Sequence, residues 1–262
     1  MPYVSSGAAE IYYESHGEGP AVIFSPGGGG NHAIWWQQIP HLAKRYRVIT
    51  IDYPGLGKTR VGGDEYDLLT WPDAILAVLD ELQIERVTPI AQSLGGQPAL
   101  SFAVKHPERI DGIILVSSIA GIRDEAIHSL MLADRTAADE LPVMDRLLSP
   151  QFQTERPDMV FLFTKLSGFN AAVPGKNIVN TRKGSTDLAQ VQALIDEGAQ
   201  VWFIWGSGDA VRQEATYQKL GELIPDAHHV RVDGAPHTFY WEQPDRFNEL
   251  VSDALAAIHT EG

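Results

Sequence analysis

The chain has 262 residues, 44% hydrophobic and 21% charged, which is enough to bury a sizeable core and fits a single α/β domain. Its formal net charge of -14 argues against nucleic acid or an anionic membrane surface as a partner. The absence of cysteine excludes disulfides, thiol catalysis and cysteine-ligated metals. No signal peptide pattern opens the sequence and no apolar run approaches about 18 residues, so we expect a cytoplasmic protein without a membrane span.

Buried β-prone runs alternate with helical stretches along the chain. Residues 35–44 read as a short helix interrupted by Pro40, and residues 70–82 as an amphipathic helix with Thr70 as N-cap. Pro89 lies inside a predicted strand. Proline has no N–H to donate to the hydrogen bonds of the sheet, so a bulge is the remaining explanation for its position there. The predicted strands are residues 3–5, 10–14, 21–25, 47–51, 87–92, 110–117, 200–205 and 229–232. This alternation predicts an α/β fold with a parallel sheet covered on both faces.

Residues 121–194 differ from the rest of the chain. They show helical periodicity with several proline breaks and no strong strand. An insertion at this point would lie above the carboxyl edge of the sheet, where open α/β sheets bind ligands. We therefore expect a core domain of residues 1–120 and 195–262, and a helical cap of residues 121–194.

The sequence around Ser93 is typical of a nucleophile elbow. A strand ends at Ser93, Leu94 and two glycines follow, and residues 97–106 are helical. A strained turn of this kind exposes the serine at the strand's carboxyl end and needs small neighbours two residues away on each side. Gly95 fits this need, and Ala91 is a departure by one methyl group. An incidental serine in a glycine-rich turn is the alternative.

A second glycine-rich stretch follows the strand at residues 21–25. Four consecutive glycines after a buried strand indicate that the backbone closely approaches another group. A nucleotide site is one option, but the glycine spacings of phosphate-binding loops are absent. An oxyanion loop, whose N–H groups face the elbow, explains the stretch better.

Two further residues at strand ends complete a candidate catalytic set. A serine nucleophile needs a base, and the base needs an orienting acid. Asp209 follows the strand at residues 200–205, and His237 follows the strand at residues 229–232. Asp233 is a rival acid on the same loop as His237, and each residue alone could be an ordinary loop residue. The joint order Ser93, Asp209, His237 favours a catalytic triad.

With these residues in place, the chain resembles the α/β-hydrolase fold superfamily over essentially its whole length. The matching segments are residues 26–31, 52–57, 91–95 and 206–209, and His237 with the Glu-Gln-Pro that follows it. The resemblance implies an eight-stranded, mostly parallel sheet flanked by helices, with a helical cap. It also implies an oxyanion hole made by the amides of Leu94 and Gly28. Pro26 stands where the family usually has histidine, which changes the hydrogen bonding around that loop.

The expected reaction is acyl-enzyme hydrolysis of a small, largely apolar carboxylic ester or lactone, without cofactor or metal. Serine at the nucleophile position argues against the aspartate-dependent dehalogenases and epoxide hydrolases of this superfamily, and Leu94 argues against its cofactor-independent oxygenases. A hydrolase of carbon–carbon bonds in ring-cleavage products is an alternative. A ligand receptor or scaffold that keeps the triad and turns over slowly is another.

Aromatic and methionine side chains of the insertion, together with aromatics near the site loops, are candidates for an apolar substrate pocket. Trp35, Phe163 and Tyr240 are the substrate-binding residues predicted on this basis. Packing among the cap helices or within the core is the alternative for each of them.

Overall fold

The computed structural model describes residues 2–63, 65–172, 176–181 and 186–260. Its main sheet contains β1 (Tyr3–Ser6), β2 (Ala9–His16), β3 (Ala21–Ser25), β4 (Arg47–Asp52), β5 (Thr88–Gln92), β6 (Gly112–Val116), β7 (Gln200–Gly206) and β8 (His228–Val232). Their order is β1-β2-β4-β3-β5-β6-β7-β8, and the two-residue strand Arg60–Val61 joins the sheet as a ninth beside β2. Strand β2 is antiparallel to β1 and β4, and the other neighbours along this order are parallel. This confirms the predicted α/β fold with its mostly parallel sheet.

The inner strands are buried on both faces because their side chains alternate between two apolar clusters. Ile113 and Leu115 of β6 belong to one cluster, whereas Ile114 and Val116 belong to the other. A strand covered on both sides has no solvent-facing positions, which explains the continuous apolar runs in the sequence.

Helices form the two covering layers. They are α1 (Ile39–Leu42), α2 (Trp71–Glu81), α3 (Gly96–Lys105), α4 (Glu125–Asp139), α5 (Val143–Leu147), α6 (Pro150–Glu155), α7 (Pro157–Ser167), α8 (Leu188–Asp196), α9 (Glu214–Leu223), α10 (Phe239–Glu242) and α11 (Pro244–Thr260). Helices α2, α3, α8 and α9 contribute to one apolar cluster, and α1, α5, α7, α10 and α11 to the other. Within the described part of the chain, no helix is long and apolar enough to cross a membrane.

Two helix starts differ in detail from the expected pattern. Pro40 is the second residue of α1 rather than an interruption of a longer helix; proline is tolerated there because N–H groups of the first turn have no partner within the helix. Helix α2 begins at Trp71 as expected, but the side chain of Thr70 makes no capping bond to it. The Thr70 hydroxyl donates instead to the carbonyl of Asp67, which caps the short turn before α2.

Pro89 lies beside a bulge in the pairing of β5 with β6. An isolated bridge joins Val87 to Ile110, and the regular ladder resumes at Ile90 and Ile114. Between these two pairs there are therefore two residues on the β5 side and three residues on the β6 side. This mismatch interrupts the ladder where proline cannot donate, and it accounts for the residue within a central strand.

Helices α4 to α7 follow β6 and contact the loops at the carboxyl ends of other strands. The Asn31 side chain donates to the carbonyl of Leu166, and the Thr238 hydroxyl donates to the carbonyl of Leu147. Helix α8, by contrast, packs against α3 with Val191 and Leu194 in the core. Helices α4 to α7 and the residues beside them thus contact the loops that follow β3 and β8.

Candidate active site

Ser93 occupies a strained turn between β5 and α3. Its φ of 50° lies in the left-handed region that non-glycine residues rarely adopt. A methyl group on Gly95 would lie 2.5 Å from the carbonyl oxygen of Pro26, so only glycine fits there without displacement. Ala91, on the other side of Ser93, is completely buried and its methyl is accommodated. Backbone strain and close packing together fix Ser93 at the carboxyl end of β5.

The structure brings Ser93, His237 and Asp209 into one hydrogen-bonded chain. Ser93 Oγ is 2.9 Å from Nε2 of His237, and Nδ1 of His237 is 2.9 Å from each carboxylate oxygen of Asp209. Both His237 and Asp209 are buried. These contacts span up to 144 positions in sequence. They arise because parallel strands β5, β7 and β8 end at the same edge of the sheet.

Asp209 is held by donors on its own loop and on α9. The backbone amides of Val211 and Arg212 donate to Oδ1 at 2.8 and 2.9 Å. The phenol of Tyr217 donates to Oδ2 at 3.2 Å, and its ring stacks on Trp205. Burial, with the charge of Asp209, raises the pKa of Tyr217 well above its ordinary value, so the phenol stays protonated and remains a donor. The carboxylate is thereby fixed in the orientation that faces His237.

Asp233, the rival acid, lies outside this chain of contacts. Its side chain is 86% exposed and forms an ion pair with Arg231. An exposed carboxylate paired to arginine on the surface has no geometry for orienting a buried imidazole. The geometry therefore favours Asp209 as the partner of His237.

The glycine loop forms a turn over the elbow. The amide of Gly30 donates to the carbonyl of Gly27 at 3.0 Å, and Gly29 has a φ of +85°, as the third residue of a type II turn requires. A methyl group on Gly27 would overlap with Oε1 of Gln92 and lie 3.1 Å from Cβ of Ser93. The predicted close approach of this backbone is thus confirmed. Gly28 is the second residue of the turn.

Asn170, which follows α7, ties this loop to the turn after β4. Its Nδ2 donates to the carbonyl of Gly29 at 2.6 Å, and its Oδ1 accepts from the amide of Gly57 at 2.8 Å and from Asn31 at 3.2 Å. His32 adds a second tie, because its amide and Nδ1 both contact the buried Asp52 carboxylate. Neither Asn170 nor His32 was predicted as a site residue, because no local pattern in the sequence marks either contact.

A cavity of about 140 Å³ opens beside Ser93. Clefts of about 460 Å³ and 350 Å³ adjoin it and share Met131 and Thr181 with it. The described residues lining the inner cavity are Ser93, Leu94, Gln97, Ser117, Ser118, Ile119, Ala120, Gly121, Met131, Thr181, Val211, Arg212 and His237. Leu94 is therefore present at the cavity, whereas Gly28 is not among its lining residues.

The three predicted substrate-binding aromatics are packed in the core. Trp35 is fully buried between Phe24 and Tyr240, at centroid distances of 4.5 and 4.7 Å. Phe163 is buried with its edge against Trp241. The lining of the cavity beside Ser93 includes none of Trp35, Phe163 and Tyr240. These side chains belong to residues close in sequence to the site loops, but they pack in the core instead of lining the cavity.

No cluster of three or more histidine, cysteine or acidic side chains suited to a metal ion occurs within residues 2–63, 65–172, 176–181 and 186–260. The groups that the structure brings together at the site are the Ser93 hydroxyl, the His237 imidazole and the Asp209 carboxylate.

A model of the alpha/beta hydrolase fold matches residues 20–244. The chain belongs to the alpha/beta hydrolase fold family. This match extends from the turn before β3 to the first residue of α11, and so covers the elbow and all three residues of the hydrogen-bonded chain.

Curated relatives include hydrolases of different substrates. The chain is 30% identical over 256 residues to a pimeloyl-[acyl-carrier protein] methyl ester esterase of Aeromonas hydrophila, covering 92% of this chain and 97% of that protein. It is 29% identical over 266 residues to a 2-hydroxy-6-oxo-6-phenylhexa-2,4-dienoate hydrolase of Comamonas testosteroni, covering 94% and 91%.

Among solved structures, Est816, described as an N-acyl homoserine lactone degrading enzyme, superposes with a TM-score of 0.79 at 25% identity. The alignment covers 96% of this chain and 99% of Est816. The family and its relatives establish that this chain is an enzyme of the hydrolase class. Their substrates are a methyl ester, a dienoate and an N-acyl homoserine lactone, so they leave the substrate class open.

Proposed function

We propose that the chain is a serine hydrolase that cleaves small, largely apolar carboxylic esters or lactones through an acyl-enzyme. The observation that carries the proposal is the chain of hydrogen bonds from Ser93 through His237 to Asp209. A serine of this kind is activated when the imidazole accepts its proton and a buried carboxylate orients the imidazole.

In the proposed reaction, His237 Nε2 takes the proton of Ser93 as the serine oxygen attacks the acyl carbon. The amides of Leu94 and Gly28 would hold the oxyanion, and loss of one such donor costs about 10²–10³ in rate. His237 then protonates the leaving alcohol. Water, deprotonated by the same imidazole, releases the acid and restores Ser93. No cofactor takes part in this scheme.

We further propose that α4 to α7 act as a cap over the site and that the protein works in the cytoplasm. The contacts between α4 to α7 and the loops after β3 and β8 support the first statement. The second follows from the sequence composition, and locating a tagged full chain by fractionation would test it.

A carbon–carbon bond hydrolase of ring-cleavage products is the second candidate. The Comamonas testosteroni relative, a 2-hydroxy-6-oxo-6-phenylhexa-2,4-dienoate hydrolase at 29% identity over 94% of this chain, favours it. This second reaction would also depend on Ser93. Decay of the visible absorbance of a coloured dienoate substrate separates the two reactions. A high turnover number on either substrate would also exclude the slow receptor or scaffold.

The test is steady-state hydrolysis of p-nitrophenyl acetate and butyrate, γ-butyrolactone and a coloured dienoate by the wild type and by Ser93→Ala. We expect ester or lactone turnover that falls by at least about 10³-fold in the variant. Dienoate cleavage without ester or lactone turnover would replace the proposal by the second candidate. Equal rates for wild type and Ser93→Ala would contradict a serine mechanism.

A further inference from the structure

Arg212 lies at the boundary between the cavity that holds Ser93 and the outer groove of about 350 Å³. It lines both of them. It follows Asp209 by three residues on the same loop, and its side chain is 18% exposed. A guanidinium at this position is close enough to the reacting serine to contact a substrate and open enough to be reached by one.

The Arg212 side chain is anchored rather than free. Its Nη1 lies 3.3 Å from Oδ2 of Asp134 on α4, a carboxylate that is almost completely buried and also accepts the hydroxyl of Thr216 at 2.7 Å. Its backbone amide donates to Asp209. Among the described residues, the contact with Asp134 is the one hydrogen bond that the side chain of Arg212 makes. A guanidinium carries five N–H donors, so most of them remain for a ligand.

The outer groove carries a positive charge in an acidic protein. Among the described residues that line it are Arg135, Arg146 and Arg212 and one acidic residue, Asp139, which pairs with both Arg135 and Arg146. Even with Asp134 counted, three guanidinium groups face two carboxylates. The whole chain has a formal charge of -14, so the net charge of this groove is opposite in sign to that of the whole chain. A partly enclosed groove of one sign concentrates ligands of the other.

We propose that Arg212 binds a carboxylate at the far end of the substrate's acyl group, so that the preferred substrates are half-esters of short dicarboxylic acids. Guanidinium and carboxylate match in a bidentate geometry, and a partly buried guanidinium held by Asp134 is oriented for that pairing in advance. The apolar acyl chain would then lie between Arg212 and Ser93, against Met131 and Val211. This inference rests on the proposed serine hydrolase function and gives it a substrate class.

The test compares monoethyl esters of succinic, glutaric and adipic acid with neutral ethyl esters of equal acyl length, using wild type, Arg212→Gln and Arg212→Lys. In the wild type we expect kcat/KM for the best half-ester to exceed that of its neutral counterpart by at least about 10-fold, mainly through KM. A hydrogen bond to a charged group is worth about 1.5–3 kcal/mol, so Arg212→Gln should lower this ratio by about 10- to 100-fold. The ratio of half-ester to neutral ester for Arg212→Lys should fall between those of the wild type and Arg212→Gln.

Arg156→Gln is the matched control, since Arg156 is an exposed arginine paired with Asp158 on the surface. Its ratio of half-ester to neutral ester should equal that of the wild type. Ser93-dependent cleavage of neutral esters, with no preference for half-esters and the same ratio in Arg212→Gln, would overturn the role of Arg212 and leave the hydrolase proposal standing. Failure to cleave any ester would instead count against the proposed function itself.

Discussion

Asp209, and not its rival Asp233, lies where a carboxylate can orient the imidazole of His237. Both Asp209 and Asp233 follow a strand, and the sequence favours Asp209 because Asp233 shares the short loop of His237. The structure buries Asp209 against His237 and leaves Asp233 on the surface with Arg231. The difference comes from burial and side-chain direction, which depend on how the two loops pack.

Asp209→Asn should keep the fold and lower kcat by about 10⁴-fold, because the imidazole loses the partner that sets its tautomer and orientation. The amides of Val211 and Arg212 can still donate to the side-chain oxygen that remains. Steady-state kinetics on a simple ester, with circular dichroism to verify folding, provides the measurement. Asp233→Asn is the control and should retain wild-type kcat; the reverse pattern would identify Asp233 as the acid.

The residues of the predicted triad could be found in the sequence because residue type, chain order and position after a strand are all visible there. Arg212 and Asp134 could not, since their pairing joins positions 78 apart through the packing of α4 on the loop after β7. The position of Arg212, three residues after a predicted catalytic acid, was a signal available in the sequence. Trp35 and Tyr240 are buried in the core, which is the alternative that the sequence left open for them.

At the scale of elements, the glycine loop depends on the helical insertion for its position. Asn170, beyond the end of α7, makes hydrogen bonds to Gly29, Gly57 and Asn31. The loop that would supply one oxyanion donor is therefore held from both the sheet side and the insertion side. Movement of α7 away from the core would break these bonds.

Asn170→Ala should lower kcat by about 10-fold with little change in KM, because a displaced glycine loop weakens the oxyanion interaction that forms in the transition state. Asn170→Asp keeps an acceptor for the Gly57 amide but loses the donor to Gly29, and should also be impaired. Asn248→Ala is the control, since this buried amide bonds to Gln37 away from the loop. An unchanged kcat in folded Asn170→Ala would show that the loop is held without this side chain.

Element boundaries were predicted closely for some strands and less closely elsewhere: the strand predicted at residues 110–117 is Gly112–Val116, and the helix predicted at residues 35–44 is Ile39–Leu42. The strands at residues 21–25 and 200–206 lie within one residue of their predicted ends, because continuous apolar runs leave little freedom. Thr70 was expected to cap α2, but its hydroxyl bonds to Asp67. Competition between nearby backbone acceptors is decided by local geometry that a single sequence does not specify.

At the scale of the whole molecule, alternation of strands and helices was sufficient to predict the sheet and the edge at which the site lies. Parallel strands bring their carboxyl ends together, so loops distant in sequence meet there. The division into a core and a cap stays a prediction, and α8, part of which was assigned to the cap, packs on the core side against α3. The fold determines the substrate class least, because the substrate class depends on the few side chains that line one cavity.

In the proposed function, Ser93 is an activated nucleophile in a preformed site. The most direct measurement is the intact mass of the full chain after exposure to a fluorophosphonate, with Ser93→Ala treated in parallel. The hydrogen-bonded chain of Ser93, His237 and Asp209 predicts a single covalent adduct on the wild type and none on the variant. Absence of an adduct on folded wild type, or the same adduct on both proteins, would contradict the account.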